Sequence, residues 1–108
     1  MKMIKAVVRP EKSYIILAGL AEAGFAAATK ISVLGRGKQR GLKMGEIYYD
    51  EIPKEMIVIV VEDKDVTAII DIITKFARNT SGGSYGDGKI FVLPVDEVYT
   101  ISTKSNTL

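Results

Sequence analysis

Two glycine-rich, basic segments hold the residues of this chain that could do chemistry. The first is Gly83-Ser84-Tyr85-Gly86-Asp87-Gly88-Lys89. Glycines let backbone N–H groups approach an anion closely, and Lys89 adds a point charge, so the segment suits phosphate. Its spacing fits the start of a P-loop, G-x-x-x-x-G-K, but Ile90 follows where that motif needs Ser or Thr for magnesium. The segment also precedes an apolar, strand-like run, whereas a P-loop precedes a helix whose N-terminus receives the phosphate. A Walker-type NTPase is therefore excluded. On composition alone a plain turn is the commoner meaning of such a stretch, because Asp-Gly is a frequent turn dipeptide.

The second segment is Gly35-Arg36-Gly37-Lys38-Gln39-Arg40-Gly41, where three basic side chains alternate with glycines around a neutral Gln39. It could wrap a polyanion, or be a solvated loop. It is not G-x-G-x-x-G, which disfavours a dinucleotide fold. Further on, Tyr48-Tyr49-Asp50-Glu51 offers aromatic contact area at low entropic cost, as a partner-docking tip does. One of those rings could equally cover the base of the loop.

Composition narrows the field. The chain has no Cys and no His, which removes thiolate zinc sites, disulfides, thiol nucleophiles and His-dependent triads. A net charge of +2 with interleaved signs gives no argument for nucleic acid. The longest apolar run, Met56 to Val61, is far too short to cross a bilayer. The N-terminal Met1-Lys2-Met3-Ile4-Lys5 lacks a signal-peptide core, so a cytoplasmic location is expected.

The elements that must position these segments follow from hydrophobic periodicity. Residues 3–8 read as a strand stopped at Arg9-Pro10. Glu11 to Ala23 reads as a helix, with Ile16, Leu20 and Ala23 stacked at helical spacing beside Leu17 and Ala21, and Gly24 as its left-handed terminator. Thr29 to Leu34 is a second strand. From Gly35 to Pro53 no period survives, which predicts a long loop, and such loops in compact domains are usually functional. Lys54 to Val61 reads as a central strand. Asp63 or Asp65 is expected to cap a helix with the stripe Val66, Ile69, Ile70, Ile73, Phe76. A second loop, 79–88, leads to the strand Ile90–Leu93, and 103–108 is expected to be a loose tail. A single domain over 1–108 follows, α+β in class. The order β-α-β-β-α-β is the ferredoxin-like arrangement, an antiparallel sheet with two helices on one face. Its other face needs cover, which points to self-association.

Together these segments resemble the PII signal-transduction family over almost the whole chain. The opening Met1-Lys2-Met3-Ile4-Lys5-Ala6 resembles its first strand, and Leu20-Ala21-Glu22-Ala23-Gly24 the end of its first helix. Gly35 to Gly41 and Ile52-Pro53-Lys54 resemble the two ends of its T-loop (about 36–53 here). The most specific match is Gly86-Asp87-Gly88-Lys89-Ile90-Phe91-Val92, similar to the end of its B-loop (about 79–88) and the next strand. The resemblance implies a non-enzymatic sensor, a homotrimer with three ligand clefts between subunits that bind ATP or ADP. It places Thr29 and Val60 by the adenine, and Gly37, Lys38, Gly86, Asp87, Gly88 and Lys89 along the phosphates. It makes Gln39 the ligand of a magnesium that bridges the nucleotide to 2-oxoglutarate, and pairs Lys54 with the distal carboxylate of that acid. Tyr48 and Tyr49 would dock a partner.

Three departures stand out. The T-loop is short, with Ile47 near where uridylylated relatives carry a Tyr. The B-loop is long through Asn79 to Tyr85. Thr100 and Ser102 stand where relatives carry two phosphate-clamping arginines. The compact basic loop is most similar to the nitrogen-fixation branch, whose members work with a second PII-like subunit and inhibit dinitrogenase. The alternative is a general ammonium-assimilation protein that meets the membrane only through an ammonium channel. A ferredoxin-like hydrolase is disfavoured by the missing His and Cys. An RNA-binding domain is disfavoured by the purely aliphatic strand Met56–Val61.

Overall fold

The structure, a computed structural model, describes residues 1–36, 42–44, 47–49, 51–80 and 82–108. Its main sheet holds β1 (Lys2–Val8), β2 (Thr29–Gly35), β5 (Ile52–Val61) and β6 (Gly88–Pro94) in the order β2-β5-β1-β6, with every neighbouring pair antiparallel. Helices α1 (Ser13–Glu22) and α2 (Val66–Ala77) make the two crossovers and pack against each other. This is the expected ferredoxin-like frame, with β5 central between β2 and β1.

Side chains alternate across a strand, so each strand sorts its residues between two environments. Ile4, Ala6 and Val8 of β1 and Ile57, Ile59 and Val61 of β5 are buried, in one core with Ile16, Leu20, Ile69 and Ile73 of the helices. On α2, Ile69 and Ile73 of the expected stripe are buried and Val66 and Phe76 pack against the core, but Ala77 and Ile72 join them in place of Ile70. On α1 only Ile16 and Leu20 of the expected set are fully buried, whereas Ala21 and Ala23 are exposed. That helix ends as its sequence dictates: Gly24 adopts φ 96°, its N–H reaches the Ala21 carbonyl at 3.0 Å, and Phe25 N–H reaches Leu20 at 2.8 Å. The left-handed residue satisfies carbonyls the helix cannot, and Phe25 folds back onto the core.

Several boundaries differ from the sequence reading, among them β5 and β6, which begin two residues earlier than expected. Residues Pro10–Lys12 form a 3-10 turn, so α1 begins at Ser13, whose buried hydroxyl donates to the Pro10 carbonyl at 3.0 Å. Neither Asp63 nor Asp65 caps α2 through its side chain. The Asp63 carboxylate instead accepts from the Met1 ammonium at 2.7 Å and Lys2 at 3.0 Å, and these bonds hold its carboxyl below the usual range. The span 35–53 carries a two-stranded antiparallel sheet, β3 (Leu42–Met44) with β4 (Ile47–Tyr49). The 103–108 tail folds back: Thr100 N–H donates to Ser105 at 3.0 Å around a turn in which Lys104 takes φ 56°.

The second face of the main sheet lies away from both helices. Across the ladder it lines up Ile31 with Met56, Val7 with Met56, and Met3 with Val60 and Leu93. Ile31, Phe91 and Leu93 on it are 43%, 50% and 38% exposed, so an apolar surface lies open on the isolated chain.

Candidate functional site

The glycine-rich turn before β6 is built by three left-handed residues, Gly83 (φ 79°), Gly86 (φ 89°) and Gly88 (φ 123°). Gly88 has a second reason to lack a side chain: a Cβ there would lie 1.9 Å from the Val7 carbonyl oxygen of β1. Close packing of β1 on β6 therefore demands this glycine independently of any ligand.

Asp87 organises the turn from within. One carboxylate oxygen accepts from Ser84 N–H at 2.6 Å. The other accepts from the Ser84 hydroxyl at 3.2 Å, Asn79 N–H at 3.4 Å and Arg9 Nε at 3.2 Å. Burial opposes ionisation of this carboxyl, but the bonds from Ser84, Arg9 and Asn79 outweigh it and hold the group below the usual carboxylate range. Arg9 also donates from Nη2 to the Tyr85 carbonyl at 2.7 Å, and Lys54 donates to the next carbonyl, Gly86, at 2.7 Å. Burial and the neighbouring Arg9 guanidinium pull Lys54 below the usual ammonium range, against opposition from Glu11 and Asp87.

Beside this turn opens a cleft of about 720 Å³, walled by Arg36, Lys54 and Lys89, the backbone of Gly86 and Gly88, and the apolar Phe91 and Ile52. Among the described lining residues the sole carboxylate is Asp87, and it is already engaged. A cleft lined by three cations and glycine backbone, with no spare carboxylate among the described lining residues, suits an anion with an apolar part.

The structure brings Lys54, Gly86, Asp87, Gly88 and Lys89 together at this one place. Thr29 and Val60 are elsewhere. Val60 is six residues along β5 from Lys54, about 20 Å at the usual strand rise, and Thr29 pairs with Val58 near that far end. The two groups therefore lie toward opposite ends of β5 within one chain. Gly37, Lys38 and Gln39 lie outside the described residues, and Tyr48 and Tyr49 are described only as backbone of β4. Thr100 anchors the C-terminal turn and Ser102 lies within it. Arg9 escaped the sequence reading, where it only ended a strand. Its signal was topological: once β1 pairs antiparallel with β6, Val8 faces Gly88, and the next residue must lie against the turn.

The model of the family described as nitrogen regulatory protein P-II matches residues 1–105. The chain belongs to the P-II family. Proteins of this family are signal-transduction regulators. Among curated relatives, the nitrogen fixation nifHD region GlnB-like protein 1 of Methanococcus maripaludis is 56% identical over 105 residues, 97% of each chain. The protein of that name from Methanothermobacter marburgensis is 50% identical over 108 residues, all of both chains. A nifHD2 region GlnB-like protein 1 of Methanosarcina barkeri is 48% identical over 103 residues, 95% of each. No helix among the described residues is long and apolar enough to cross a membrane.

Proposed function

We propose that this P-II protein is a non-enzymatic nitrogen-status sensor of the nitrogen-fixation branch. It binds ATP or ADP with its phosphates on the B-loop and 2-oxoglutarate beside Lys54. The observation that carries this reading is the B-loop cleft, where Lys54, Lys89 and Arg36 surround glycine backbone and the sole described carboxylate is engaged. A triphosphate matches that charge, and Phe91 and Ile52 accept an apolar portion.

The working unit is a homotrimer. Two features support it: the apolar open face of the sheet, and the separation of Thr29 and Val60 from the B-loop. If the adenine contacts belong to one subunit and the phosphate contacts to its neighbour, a divided set of residues becomes one site. Lys54 then serves as the cation for the distal carboxylate, exchanging its bond to the neutral Gly86 carbonyl for one to an anion. Gln39 would be the protein ligand for magnesium. Among the described residues no group of three or more carboxylates could hold a metal, so the ion would depend mainly on ligand oxygens. Gln39 lies outside the described residues.

The partner is dinitrogenase, with a second P-II-like subunit, docked through the T-loop tip at Tyr48 and Tyr49. The relatives' names, which place them in nitrogen-fixation regions, support this, and the 37% identical nifHD region GlnB-like protein 2 of Methanococcus maripaludis, beside a protein 1 of that organism, supports a pair of P-II-like proteins. The protein works in the cytoplasm. The test is a pair of ATP titrations on the wild type and Lys89→Ala. The wild type should bind with sites equal in number to subunits, and the variant should lose binding. ATP binding by Lys89→Ala at wild-type strength would put the phosphates elsewhere.

A further inference from the structure

Arg9 lines no part of the cleft, yet its guanidinium holds the B-loop at several points. Nε donates to Asp87 at 3.2 Å, and Nη2 donates to the Tyr85 carbonyl at 2.7 Å and lies 3.5 Å from the Ser84 hydroxyl. The paired side chains are 22% and 15% exposed, so this is not the screened surface pair that contributes little. Lys54 takes the adjoining Gly86 carbonyl, so two consecutive peptide oxygens are held by two cations.

That matters because a glycine-rich loop is conformationally permissive, and Gly83, Gly86 and Gly88 each lack the Cβ that would restrict them. A trans peptide plane carries its N–H opposite its carbonyl. Fixing the Tyr85 oxygen on Arg9 therefore fixes the Gly86 N–H on the far side of the same plane, away from Arg9. The Asp87 contact with Ser84 N–H fixes the other end of the turn.

We infer that Arg9 is a positioning residue for anion binding: by gripping Asp87 and the Tyr85 carbonyl at once, it holds the B-loop in a binding-ready shape before ligand arrives. The inference rests on the cleft being the nucleotide-phosphate site. It requires the planar fork of a guanidinium, with donors pointing in separate fixed directions. A lysine ammonium keeps the charge but ends in one point on a flexible stem, so it does not replace the fork. If Arg9 contributed only a diffuse positive field, lysine would serve as well.

The test is a set of ATP titrations on the trimeric protein carrying Arg9→Lys, Arg9→Gln, Asp87→Asn or Arg9→Gln with Asp87→Asn, beside Lys89→Ala. Positioning predicts that Arg9→Lys and Arg9→Gln each weaken ATP binding about tenfold, the worth of one charge-assisted bond. The double variant should lose no more than Arg9→Gln alone, because both changes break one unit. In the ligand-free protein, amide signals of Ser84 to Gly88 should shift or broaden in Arg9→Lys while those of Ile4 and Ile59 stay put. Should Arg9→Gln not fold, Arg9→Lys and Asp87→Asn carry the comparison. Wild-type affinity in Arg9→Lys, or a double-variant loss equal to the product of the single losses, overturns the inference. If Lys89→Ala loses ATP while Arg9→Lys keeps it, only the role of Arg9 falls. If both bind as the wild type does, the nucleotide site falls, and the inference with it.

Discussion

Gly88→Ala separates two reasons for a glycine that the sequence alone merges. A phosphate site wants Gly88 so that the backbone can approach the ligand. The structure gives a different demand, since the new Cβ would lie 1.9 Å from Val7 O, 2.9 Å from Val7 C and 3.2 Å from Val8 Cα. These are backbone atoms of a central strand, so no rotamer relieves the clash. Overpacking costs about 1–3 kcal/mol where side chains can yield, and holding an L residue in a disfavoured backbone region costs about 1–3 kcal/mol more. Opening the first rungs between β1 and β6 would relieve both, at the expense of their hydrogen bonds and the packing of Ile90 on the core. A loss of roughly 3–5 kcal/mol is expected, a large share of the stability of an ordinary domain. On the scale of a small domain that lowers Tm by about 12 °C or more. Thermal and urea melts of ligand-free protein, at equal subunit concentration because association shifts the midpoint, provide the assay. A variant that melts within about 2 °C of wild type but no longer binds ATP would refute the packing argument and leave the ligand as the sole reason for Gly88.

Gly19→Ala should also destabilise, although alanine favours a helix by about 1 kcal/mol. Its Cβ would lie 2.5 Å from Phe76 Cε2 and 2.8 Å from Cδ2, so the Phe76 ring must shift or α1 and α2 must part; urea melts should show a net loss, partly restored by adding Phe76→Leu. Asp87 is held below its unfolded value of 3.8, so it contributes stability that is full above that value and lost as pH falls through the lower folded one. Urea midpoints should accordingly fall less steeply on acidification in Asp87→Asn than in wild type, and parallel acid limbs would contradict this. Lys54→Ala should abolish the 2-oxoglutarate response and keep most nucleotide binding, as read by paired calorimetric titrations; an unchanged 2-oxoglutarate isotherm would remove Lys54 from the site.

The frame was legible because its signals are local. The stripe Val66, Ile69, Ile73 and Phe76 has one solution as an amphipathic helix, and Gly24 marks the end of α1 through a conformation other residues avoid. β5 declared itself by an unbroken β-branched run. The β3–β4 pair did not, since three-residue strands are too short for a period of two to emerge from Leu42-Lys43-Met44 and Ile47-Tyr48-Tyr49. Asp63 looked like a helix cap because capping is a local habit, but its partners are Met1 and Lys2, some sixty residues away. The same holds for the site. Lys54, Lys89 and the B-loop glycines were legible as types in a pattern. That Arg9 grips Asp87 from 78 residues away, and that Thr29 and Val60 sit at the other end of the sheet, are consequences of pairing register that no short motif encodes.

If the B-loop cleft joins adenine nucleotide and 2-oxoglutarate sensing in one site, the acid should bind only when nucleotide is present. Calorimetric titration of 2-oxoglutarate into the wild-type protein, without nucleotide and then saturated with magnesium and ATP, tests it most directly. The first titration should give no measurable heat of binding, and the second saturable binding of at most one acid per subunit. Equal affinity in both, or no binding in either, would contradict it.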